Sequence, residues 1–168
     1  MRKILSLGAA VAIAMVCLAT PATAGPTRVP APAGAVDLPD IFCGFVVHAE
    51  FPKNKEYSLV YSDAGGTVTH IRTTGALAVT LTNASNGHWH TFNISGPGNL
   101  VFNQDGSTTL TATGHWILFF APDQLGVGSP GSMVTFTGRT VLWTAANGFD
   151  QEILSRTGTR TDVCAMLA

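Results

Sequence analysis

The chain has 168 residues, 46% of them apolar and only 11% charged, with nine Lys plus Arg against ten Asp plus Glu. Its basic residues are scattered, which excludes the clustered positive footprint of a nucleic-acid binder or of a protein held on an anionic membrane surface. Abundant Thr and Gly with scarce Lys and Glu point to β-sheet and away from a helical bundle.

The chain opens MRKILSLGAAVAIAMVCLATPATA. Arg2 and Lys3 precede an uncharged, mostly apolar run from Ile4 to Ala19, and Ala22-Thr23-Ala24 fits a small-residue cleavage pattern. The run is shorter than the roughly 20 residues of a membrane-spanning helix. Residues 1–24 are therefore expected to be a cleaved signal peptide, and the mature protein to be secreted and free of the membrane. Their removal leaves seven Lys plus Arg against ten acids, a formal charge of −3. Residues 25–40, GPTRVPAPAGAVDLPD, read as an extended Pro/Ala-rich lead-in segment, and a single β domain is expected over 41–168.

Cys43 and Cys164 are the two cysteines outside the signal segment. In an oxidising compartment an even count favours a disulfide between them, which would join the start of the domain to its end.

Alternation dominates from Ile41 onward. Cys43, Phe45, Val47, Ala49 and Phe51 share one face; Leu77, Val79 and Leu81 alternate with Ala78, Thr80 and Thr82. Leu110, Ala112, Gly114, Trp116, Leu118 and Phe120 define one face of a long run, and Val134, Phe136, Thr140 and Leu142 define another. Turn chemistry such as DAGG, NASNG, NQDGS and AANG separates nine candidate strands, at 42–51, 57–62, 66–73, 76–83, 88–94, 99–103, 107–120, 133–145 and 149–157. The expected fold is all-β, an antiparallel meander of eight or nine strands that hides its edges as a closed or nearly closed barrel, with a β-sandwich as the alternative. Phe45, Leu81, His88, His90, Phe92, Leu110, Trp116 and Phe136 are expected near its interior.

The segment NASNGHWHTFNIS places His88 and His90 two apart on a strand, on the face of Phe92 and Ile94. If that face is inward, both imidazoles point to the mouth of the interior and are candidate ligand-cavity or metal residues. A zinc or copper ion needs a third and usually a fourth ligand. His48 and His115 read as outward, and His70 is ambiguous. The spacing is shared with cupins, but the Glu that follows the second His there has no counterpart in Thr91-Phe92-Asn93-Ile94, so nothing of that family is transferred. There is no G-x-S-x-G nucleophile motif. The acidic pairs Glu50 with Glu56 and Asp150 with Glu152 read as solvated edges. No catalytic residue and no cofactor is assigned. Asn83 and Asn93 head the sequons NAS and NIS.

CGFVVHAEF, VTLTNASNGHWHTFNISGPG, FTGRTVLW and the closing TDVCAMLA together resemble small secreted actinobacterial proteins of unassigned function, over about Cys43 to Leu167. The resemblance implies export and a terminal disulfide, and no activity. The function expected is non-catalytic binding of a small apolar ligand or an extracellular surface partner. The alternatives are a metal-assisted enzyme centred on His88 and His90 and a structural or cell-wall interaction protein.

Overall fold

Seven strand-forming runs each break once, so that each run supplies a strand to two sheets. The computed structural model describes residues 25–31 and 33–168; the segment read as a signal peptide lies outside the described residues. The runs are Thr27–Pro30 (β1) with Val36–Leu38 (β2), Val47–Asn54 (β3) with Tyr57–Ser62 (β4), and Val68–Thr74 (β5) with Leu77–Asn83 (β6). Then follow Trp89–Asn93 (β7) with Gly98–Phe102 (β8), Thr108–Thr113 (β9) with Trp116–Phe120 (β10), Ser132–Phe136 (β11) with Arg139–Thr144 (β12), and Gln151–Arg156 (β13) with Arg160–Asp162 (β14). A short helix, Val163–Leu167 (α1), closes the described chain.

One end of every run joins a single seven-stranded sheet, ordered β1-β4-β5-β8-β9-β12-β13. The other ends divide between a four-stranded sheet, β2-β3-β6-β7, and a three-stranded sheet, β10-β11-β14. All pairings are antiparallel and follow chain order, so the expected meander is present. The expected barrel is not. No sheet closes on itself, and the arrangement is sandwich-like.

The edge strands β1 and β13 of the large sheet do not pair with each other, and the other ends of the runs part again between β7 and β10. The last rung joining the two runs is the bond from the Thr113 N–H to the Pro97 carbonyl, 2.9 Å. Beyond it the Trp116 indole lies across Gly96 and Gly98, with its pyrrole edge over Gly96 and its six-membered ring over Gly98. A Cβ on either glycine would overlap the ring. The indole fills the space that a continued ladder would need, and the sheet splits into two flaps.

The bends on the far side use glycine differently. The register of β9 on β12 continues into β10 on β11, and that of β12 on β13 into β11 on β14, which sets Gly114, Gly138 and Gly158 in one row. Their φ angles are 81°, 82° and 80°, a left-handed conformation that glycine adopts without a Cβ clash. The long strands expected at 107–120 and 133–145 are therefore each two strands, folded at Gly114 and Gly138.

Folding at this row lays the three-stranded sheet between the other two. Phe120, Val134 and Phe136 pack with Leu142, Leu110 and Ile153 of the large sheet. On the opposite side, Met133 and Ile117 pack with Val47, Val79 and Leu81 of the four-stranded sheet. Both Met133 and Val134 are fully buried, which shows β11 covered on both faces. The helix seals the core on the four-stranded sheet with Val163 and Leu167, and Asp162 caps it by accepting from the Ala165 N–H at 3.0 Å. Cys43 and Cys164 are bonded, with their Cα atoms 5.1 Å apart. The bond fastens this helix to the segment entering β3, as the two cysteines predicted.

Residues 25–40, read as a lead-in, contribute two short strands rather than an unpaired linker. Val36–Leu38 pairs with β3 and Thr27–Pro30 with β4, each at the edge of its sheet. Pro30 is compatible with that placement, because an edge strand leaves one row of N–H groups unpaired.

Candidate functional site

The fork encloses a cavity of about 310 Å³. Its floor is the four-stranded sheet: Ala49 and Phe51 of β3, and Leu77, Val79 and Leu81 of β6. The strict alternation of β6 puts Leu77, Val79 and Leu81 on this face, each buried, with Ala78, Thr80 and Thr82 on the other. Val36 and Leu38 of the edge strand β2 close one side. The opposite wall is Ile117 and Phe119 of β10, with Trp116 at the fork itself. Phe119 is 38% exposed and leans on Phe42, their ring centres 5.6 Å apart. Eleven of the thirteen lining residues are apolar; the exceptions are Thr73 and Glu56.

Glu56 stands in the short bend between β3 and β4. Its backbone is held from both sides: its N–H donates to Asn54 Oδ1 at 3.1 Å, and its carbonyl accepts from the Ala31 N–H at 3.2 Å. Gly75, at φ 132°, lets the neighbouring bend pass so close that a Cβ there would strike the Lys55 carbonyl and Glu56 Cα. The side chain is half-buried and has no hydrogen-bond or ion-pair partner among the described residues. Desolvation raises its carboxyl above the ordinary value of 4.5. Trp116 Nε1 is also buried without a partner among the described residues. Such a group costs on the order of 1–3 kcal/mol unless something accepts from it.

The histidines lie elsewhere. His88 and His90 are both exposed, and neither lines the cavity. His88 Nδ1 is 3.0 Å from the Ala168 backbone oxygen, and the His90 ring is tilted 6.2 Å from Phe92. The phase expected from the sequence is right, since Phe92 packs on the core. But β7 is the edge of its sheet, so side chains at its early positions pass the rim of the core instead of entering it. Among the described residues no group of three or more His, Cys, Asp or Glu is placed to hold a metal ion. His115 is exposed, as expected. His48 sits 2.6 Å from Asp37 and 3.6 Å from Glu50. His70 is half-buried and stacks on Tyr61 at 4.0 Å.

The remaining expectations divide in the same way. Of the eight residues placed near the interior, Leu81 and Trp116 line the cavity, Phe45 and Phe92 belong to the core beside it, and Leu110 and Phe136 belong to the second core. Asp150 and Glu152 are exposed, and Asn147 Nδ2 donates to Asp150 at 2.8 Å. Glu50 faces His48, while Glu56, paired with it only by proximity in sequence, is the acidic residue that reaches the cavity. Asn83 is buried; its Nδ2 donates to the Leu167 carbonyl at 3.0 Å and its Oδ1 accepts from Ser85. A glycan on Asn83 is incompatible with this packing, whereas Asn93 is exposed. A second concavity, on the large sheet, is lined by polar side chains including Tyr61, His70, Arg72 and Asn99.

No protein-family model, no curated protein and no solved structure matches the chain. The disulfide is compatible with an extracellular location, and among the described residues no helix is long and apolar enough to cross a membrane.

Proposed function

We propose that the protein is exported and acts by binding, without catalysis, a small apolar or amphipathic molecule in the cavity at the fork. The observation that carries this reading is the wall itself. About 310 Å³ is bounded by eleven apolar residues and two polar ones. That is the lower end of the range for small-molecule sites, and the composition such sites have, with few polar groups in an apolar lining. A packed core has no reason to leave this space, since an unfilled apolar cavity costs about 24 cal/mol per Å³. The two flaps also suit the task mechanically. They are joined through the large sheet and share no hydrogen-bonded ladder, so the gap between them is not constrained by backbone pairing.

The test is titration with a neutral fluorescent naphthylamine, which brightens when it leaves water. The wild-type protein is expected to bind it saturably. Val79→Phe fills the cavity from its floor, and Phe119→Asp puts a charge on its wall at a position already 38% exposed. Loss of the apolar contact of one large side chain is worth roughly 1.5–3 kcal/mol, so either change should weaken binding by about tenfold or more. If Val79→Phe fails to fold, Phe119→Asp decides. No saturable binding by the wild type, or equal binding by a folded Phe119→Asp variant, overturns the reading.

A further inference from the structure

Glu56 gives the cavity an end. Every other charged residue of the described chain is absent from its lining, so Glu56 is the one charged residue bordering a space otherwise bounded by apolar groups and Thr73. Resting on the reading of the fork as a binding cavity, we propose that its ligand is a single-chain amphiphile with a primary ammonium head, the chain lying between the flaps and the head paired with Glu56.

Three observations support this. First, the carboxyl is placed but unpaired. Both backbone groups of Glu56 are bonded, which fixes where its side chain starts, while its oxygens have no partner among the described residues. Second, the cations next to it in sequence and space do not satisfy it. Arg28 lies over the Tyr57 ring at 3.9 Å, and neither Arg28 nor Lys55 forms an ion pair with Glu56, although both share the surface hollow on its outer side. The only perturbation its carboxyl registers is burial, which disfavours the charged form. A half-buried carboxylate with no counter-ion is costly, and a cation brought by a ligand would offset that cost where no residue of the chain does. Third, size selects the kind of amphiphile. A space of about 310 Å³ is at the bottom of the small-molecule range, which suits one chain and not a two-tailed lipid. A carboxylate head would place like charges together and is the chemistry the site rejects.

The ligand class is read by competition against the neutral naphthylamine, with decylamine, decanol and decanoate as probes of equal chain length. In the wild-type protein decylamine should displace the probe at a concentration at least about tenfold lower than decanol, the difference expected of one charge-assisted hydrogen bond, and decanoate should be weakest. In Glu56→Gln, whose melting curve reports its folding, the ratio of amine to alcohol should fall towards unity. Equal displacement by amine and alcohol, a preference for decanoate, or an amine preference that persists in folded Glu56→Gln each overturn the proposal while leaving the cavity reading intact. Failure of the wild type to bind the naphthylamine at all removes both.

Discussion

Breaking the Cys43–Cys164 bond should lower stability by a large amount without changing the native fold. The bond spans 121 residues. Closing a loop of that length in the unfolded chain is worth about 5 kcal/mol at room temperature on the chain-entropy argument, an upper figure because strain and residual structure reduce it. In the native state the helix does not depend on the sulfur bridge alone. Val163 and Leu167 are fully buried on the core, and Asn83 holds the Leu167 carbonyl. The reduced protein, or the Cys43→Ala/Cys164→Ala pair, should therefore keep its far-ultraviolet spectrum at room temperature. Its melting midpoint should fall by about 15 °C, at about 3 °C per kcal/mol for a chain of this size. Denaturant unfolding should show a steeper dependence as well, since the freed unfolded chain exposes more surface. The assay is a thermal melt and a urea titration of oxidised and reduced protein side by side. A midpoint within a few degrees of the oxidised one, or loss of the native spectrum on reduction, would refute the assignment of this bond to the unfolded state.

Two further predictions concern the bends and the edge strand. Gly158→Ala adds a Cβ that overlaps the Thr137 carbonyl at a φ of 80°, and should cost about 2–4 kcal/mol, whereas Gly87→Ala, at φ 75° with nothing within 4 Å, should cost only about 1–2 kcal/mol; equal costs in urea unfolding would show that the row of bends is not crowded. His48 Nδ1–H donates a 2.6 Å bond to Asp37 Oδ1 across β2 and β3, and this bond, with the charges of Asp37 and Glu50, raises its pKa above 6.5 against a smaller opposing effect of desolvation. A folded pKa above the unfolded one means that the stabilisation is full below about pH 6.5 and is lost as pH rises through the folded value. The difference in melting between wild type and Asp37→Asn should thus be largest on the acid side of that window and shrink above it; a difference that grows with pH contradicts the pairing, and a proton NMR titration of His48 locates the window directly.

The alternation of Leu77, Val79 and Leu81 was enough to place β6 and its buried face, because a period of two on a half-buried strand has one solution. The turn residues and their spacing likewise carried the meander order, and the two cysteines beyond residue 24 left one pairing. The histidine site was less legible. Phase alone assigned His88 and His90 to the inner side, and phase does not say whether a strand is central or at an edge. Glu56 carried no local signal at all, since a charged residue between two strands is what any turn contains.

What the sequence by itself determined is therefore the strand-forming segments that hold β3 to β13, their chain-order pairing and the bond between Cys43 and Cys164, which follow from side-chain period, turn chemistry and cysteine placement, whereas β1, β2 and β14 were not among the expected strands. Only the tertiary structure decided that the runs 107–120 and 133–145 bend, and where the sheet parts. The apolar face continues in phase through Gly114 and Gly138, so a straight strand and a folded one have the same pattern of residues. The fork depends on Trp116 lying over Gly96 and Gly98, a contact between two runs that pair with each other only up to that point. The sheet parts there, beside an indole laid across two glycines, and a cavity lies between the two flaps where a barrel interior was expected.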